Sequence, residues 1–166
     1  MLLAIVPVII GAVVLLVVLL SKDENKYDER QELISNRSYM YAFYVVFFIN
    51  IVVMMASFFE EIPKMPTIIL ATLSLWSGII VQSVYSIWKH AYFPFTVKHG
   101  EVFGIHMLIL AFMQALIVVI DRFSLLGGEA SLPVEISLSI GAISACIISI
   151  AIFLRNYLDK RAEAEK

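Results

Sequence analysis

The chain has 166 residues, of which 61% are apolar and 16% charged, with a net charge of −2. Soluble domains are roughly half apolar and a quarter charged, and a soluble fold of this length could not hide so much apolar surface, so a soluble enzyme or regulator is excluded. The acidic balance leaves no cationic excess to neutralise phosphates, which argues against direct nucleic-acid binding, and the single cysteine, Cys146, rules out an internal disulfide framework.

Leu2–Leu20 is the first candidate span, nineteen residues without a polar side chain. At about 1.5 Å per residue such a run approaches the roughly 30 Å of a bilayer's hydrocarbon. It lacks a basic leader and a small-x-small site before Ser21, and it exceeds the apolar run of about 7–15 residues found in cleaved signal peptides. The reading is a retained membrane helix.

Ser21–Arg37 follows, SKDENKYDERQELISNR, with four basic and five acidic residues among its seventeen. Ser21 and Glu24 have the spacing of a capping box. Glu29, Leu33 and Arg37 share one face at four-residue intervals. The segment predicts a cytoplasmic helix over 21–37 that either continues into the next span or breaks near Asn36-Arg37-Ser38. Two antiparallel spans need only a short turn. So long a charged helix reads either as a solvated connector or as a docking element for a cytosolic protein, with Asp28, Glu29, Arg30, Gln31, Glu32 and Arg37 as candidate partner-binding residues.

The second span runs from about Ser38 to Phe59, and Pro63 and Pro66 end the turn after it. The third covers Thr67–Trp88, the fourth about Val102–Ile120 and the fifth about Ile136–Leu154, with a tail over 155–166. Tyr and Trp residues mark the borders, as expected at the headgroup level. The expected fold is a single all-α membrane domain over 1–166, a bundle of five transmembrane helices. Ten of the twelve Lys and Arg residues fall in the first loop, the third loop and the C-terminal tail. The positive-inside rule places those segments in the cytoplasm, N-terminus outside and C-terminus inside.

No Asp, Glu, Lys or Arg lies mid-span, which disfavours a proton-coupled transporter. Asn50, Gln82, His106 and Gln114 do lie inside, and interhelical hydrogen bonding is the expected use of such groups. Ser137, Gly141, Ala145 and Ser149 repeat at four-residue spacing, and so do Ser74, Gly78, Gln82 and Ser86. Each set lines one helix face where another backbone can come close, either within the chain or in a homo-oligomer. His90, His99, Glu101 and His106 lack the spacing of a helical metal site, and no nucleophile motif or phosphate loop is present. A non-enzyme without cofactor or metal is expected.

Tyr27-Asp28-Glu29-Arg30-Gln31, entering an apolar helix, resembles the Asp-Glu-Arg-Gln signature of small multi-pass membrane proteins of Gram-positive bacteria, over about Lys22–Val53. Genes of such proteins often lie beside a small DNA-binding regulator. In organisation the chain is also similar to the membrane half of two-gene systems that hold a transcription factor at the membrane. The resemblance implies a multi-pass protein of a bacterial plasma membrane that binds and regulates a cytosolic partner, such as a DNA-binding regulator. A transport or bacteriocin-immunity component, acting through the bundle or a partner permease, is the alternative.

Overall fold

The computed structural model describes residues 28–59, 65–93, 100–123 and 131–165. They form four helices: α1 (Glu29–Ala56), α2 (Thr67–Trp88), α3 (Gly100–Arg122) and α4 (Leu132–Ala164). Each is long and apolar enough to cross a membrane, and no strand occurs among the described residues. Leu2–Leu20 and the predicted charged helix as far as Tyr27 lie outside the described residues.

Local chemistry explains most helix ends. α2 starts directly after Pro66, and α4 carries Pro133 in its first turn, where the missing N–H costs nothing. Glu135 sits in the same turn, near the positive end of the helix dipole, and lies 3.7 Å from Arg122 at the end of α3. α1 runs without a break from Glu29 through Asn36-Arg37-Ser38 to Ala56, so the described part of the charged segment is continuous with the second span. α4 runs on past its apolar stretch into the tail. The apolar stretch ends near Leu154, but the helix continues to Ala164 because no glycine or proline interrupts residues 155–164 and the backbone ladder needs no apolar side chains.

The helices pack in the order α1–α2–α4–α3, each touching only its neighbours in that row. α4 is the central helix and contributes nine buried residues, whereas α1 contributes three, all within its first ten. Between α1 and α2, Val46 lies so close to Gly78 that a Cβ there would stand 2.8 Å from its Cγ2. Tyr41 and Tyr85 meet edge to face with centroids 5.1 Å apart in the same interface. Between α2 and α4, Ile87 packs with Ile148, Ala151 and Ile152. Between α4 and α3, the Ser149 hydroxyl donates to the Gly104 carbonyl at 2.9 Å. Other hydroxyls on α4 turn back on their own helix. Ser137, Ser139 and Ser144 donate to the carbonyls of Pro133, Glu135 and Ile140, four residues earlier, at 2.7–2.9 Å. That satisfies a polar group where water is absent.

Candidate interaction site at the shared helix end

The start of α1, the end of α2, the start of α3 and the last third of α4 lie along the same edge of the row, where the helix axes end. α2 closes there with paired backbone bonds, Ala91 N–H to Ser86 O at 2.8 Å and His90 N–H to Ile87 O at 3.1 Å, the Schellman arrangement. The residue that turns the chain is normally glycine, but here it is His90, with φ 58°. Its side chain gives a reason for the exception. The Arg155 guanidinium donates to His90 Nε2 and also reaches Asp159 at 3.0 Å, while His90 Nδ1 faces the same carboxylate at 3.7 Å. Since Arg can only donate, Nε2 is the acceptor and the ring proton belongs on Nδ1, toward Asp159. Arg155 also lies over the Trp88 ring, 5.9 Å from its centroid.

Below this network Tyr92, Phe93 and Phe103 form a triangle of rings with centroids 4.8–5.8 Å apart. Gly100 lets α3 start directly against it, for a Cβ there would meet Phe93 at 2.8 Å. Lys160 and Glu101 bridge α4 to α3 at 2.6 Å, and Arg161 pairs with Glu165 at 3.1 Å. Both pairs are exposed and contribute little to stability.

α1 is tied to this end by Gln31. Its amide nitrogen donates to the carbonyls of His90 at 2.9 Å and Phe93 at 3.2 Å, and the residue is only 5% exposed. Ile34 and Ser38, three and seven residues on, share the buried face. Gln31 is therefore committed inside the chain, unlike the other candidate partner-binding residues. Asp28, Glu29, Arg30, Glu32 and Arg37 are all exposed and make no ion pair among the described residues.

Set beside known proteins, the chain matches no family model, no curated protein and no solved structure.

Asn50, Gln82, His106 and Gln114 do not hydrogen-bond to one another. Asn50 donates to Val46 O at 2.7 Å on its own helix and to Ser74 Oγ at 3.2 Å on α2. Gln82 accepts from the neighbouring Ser83 hydroxyl at 3.3 Å. His106 is exposed and its Nδ1 lies 2.6 Å from Val102 O, one turn back on α3, so it faces away from the other helices. Gln114 lies across Gly141, where a Cβ would stand 2.6 Å from its Oε1. Ser137, Gly141, Ala145 and Ser149 are all buried, and at Gly141 and Ser149 the close neighbour is α3 of the same chain.

The His90–Arg155–Asp159–Trp88 network does not show in the sequence, where Arg155 stands out only as a tail charge and Trp88 only as a border aromatic. The four-residue spacing of Arg155 and Asp159 was the available signal, but the partner loop that completes the network is distant in sequence. All three charged or polar side chains face other groups of the chain, so the network fastens helix ends and presents no free nucleophile or base. Among the described residues no three His, Cys, Asp or Glu side chains converge on a metal position.

Proposed function

We propose that the protein is a five-span bacterial plasma-membrane protein, N-terminus outside and C-terminus in the cytoplasm, that binds and regulates a cytosolic protein, such as a DNA-binding regulator. The contact is made by the exposed start of α1. One observation carries this reading: the two charged segments at the shared helix end differ in how their charges are used. Over residues 155–165, Arg155, Asp159, Lys160, Arg161 and Glu165 are each engaged with another side chain of the protein, and Glu163 is the one charge without an ion pair among the described residues. On α1, Asp28, Glu29, Arg30, Glu32 and Arg37 stand exposed without an ion pair among the described residues. Free charges of both signs on a fixed helix suit a protein partner, where complementary charges set orientation and encounter rate. A purely lipid-binding segment would favour a basic excess.

The ten-to-two distribution of basic residues supports the orientation, and the nineteen apolar residues of Leu2–Leu20 support the fifth span. Reporter fusions test both: cytoplasmic activity is expected after Lys166 and external activity at Pro63, and a cytoplasmic signal at Pro63 overturns the topology. The binding reading is tested by co-purification from membranes with the Asp28→Lys, Glu29→Lys double variant. Insertion should be unchanged, since added positive charge reinforces a cytoplasmic location. Recovery of the cytosolic partner should fall, most steeply at low salt. Equal recovery from both proteins would leave the segment a connector.

A further inference from the structure

The outward face of α1 has the pattern of a helix that pairs with its own copy. Leu33, Met40, Phe47 and Met54 recur every seven residues, and all four are large and at least 42% exposed. Asn36 and Phe43 fall at the intervening position three residues after Leu33 and Met40, and both are exposed. The same position next falls on Asn50, which turns to Ser74 of α2, so both positions of the seven-residue pattern of a left-handed helix pair are free over Leu33–Phe47. It lies opposite the Gln31, Ile34 and Ser38 face that α1 turns toward its own chain. None of the apolar stretch of α1 is buried.

The charges beside this seam decide what covers it. In a parallel pair, the residue just before one seam position faces the residue five places later on the partner. Here the residue before Leu33 is Glu32, and five places later stands Arg37. Both are exposed and neither has an ion pair among the described residues. Copies inserted in the same direction and related by a two-fold axis along the membrane normal bring their α1 helices together in parallel. That symmetry sets Glu32 of each copy against Arg37 of the other. We infer that the seam of α1 is a two-fold interface between two copies of this chain, held by apolar packing within the membrane and closed at its cytoplasmic end by two Glu32–Arg37 pairs.

The other close-packing surfaces are already engaged within the chain. Gly78 takes Val46, Gly104 takes Ile152 and Phe153, and Gly141 takes Gln114. The apolar groove between α3 and α4, lined by Ala111, Phe112, Ala142 and Cys146, carries no charge to specify a partner. The inference takes its orientation from the proposed topology and claims Glu32 and Arg37, leaving Asp28, Glu29 and Arg30 at the helix tip to the cytosolic partner, and its test needs no cytosolic protein.

Full-length protein in native membranes, with Cys146→Ala as background, is given single cysteines by Met40→Cys or Phe47→Cys and oxidised with copper phenanthroline. Leu75→Cys on α2 and Ile143→Cys on α4, each 61% exposed, report random collision. The seam variants should yield a disulfide-linked species at twice the 18.7 kDa chain mass, well above the collision controls. Adding Glu32→Arg to Met40→Cys should lower the yield by setting like charges together, and adding Arg37→Glu as well should restore it. Yields no higher than at Leu75, or no restoration by the double exchange, would overturn the interface. So would a link within one chain between Phe47→Cys and Ala12→Cys, which would show that the Leu2–Leu20 segment covers the face instead.

Discussion

Replacing Gln31 with Glu keeps the shape of the side chain and inverts its hydrogen-bonding role. The amide nitrogen that donates to His90 O at 2.9 Å and to Phe93 O at 3.2 Å becomes a carboxylate oxygen facing two carbonyl oxygens. The site is 5% exposed, so water cannot compensate. Two lost bonds cost about 1 kcal/mol each, and an unpaired buried charge raises the total to roughly 3–5 kcal/mol at neutral pH. Acid should reverse part of the loss, because a protonated carboxyl donates one hydrogen bond. The sign follows from linkage: burial raises the folded-state pKa of the new Glu above its unfolded value of about 4.3, so the penalty is full above the folded pKa and fades as pH falls toward the unfolded one. Gln31→Leu loses the same two bonds but also removes the buried Oε1 that has no partner, so its cost should be smaller and independent of pH. The measurement is thermal unfolding in detergent at neutral and acidic pH, each variant against wild type at the same pH. Amide exchange at Ala91, which bonds Ser86 O, reports whether the turn itself has loosened. A Gln31→Glu protein that melts with wild type at neutral pH, or whose deficit is unchanged in acid, would refute the account of this contact.

Gly78→Ala should cost more than Gly141→Ala, by about 1 kcal/mol. The first meets the stiff, β-branched Val46 at 2.8 Å, whereas the second meets the movable end of Gln114. Melting of both variants in one detergent checks the order, and the reverse ranking would contradict the packing between α1 and α2. His90→Gly should be more stable than His90→Ala by about 1–2 kcal/mol, because both lose the imidazole contacts and only glycine is at ease at φ 58°. Equal melting temperatures would mean that the turn relaxes once the ring is gone.

How far the fold could be read from sequence differs from helix to helix. Thr67–Trp88 was legible to the residue because Pro66 marks its start and the apolar run ends where the turn begins. The end of α4 was not, since hydropathy reports what lipid tolerates and Arg155–Ala164 continues a helix that lipid no longer surrounds. The small-residue stripes marked faces of close approach but could not name the neighbour. The stripe at Gly78 meets α1, and the one at Gly141 and Ser149 meets α3. At the candidate site, the exposed charges were readable as charges. The inward role of Gln31 was hidden because a polar residue on a helix carries no hydropathy signal, although its spacing with Ile34 and Ser38 marks one face.

Helices joined in a row also limit what can move through them. A ring of four helices needs four interfaces to enclose a lumen, and the described helices make three. α1 and α3, the two ends of the row, do not meet, so these four helices form a wall rather than a tube. A wall has no interior along which a solute could be passed from one membrane face to the other. What it offers instead is two broad faces and two free edges, α1 and α3. A permeation path would have to be completed by something outside these four helices.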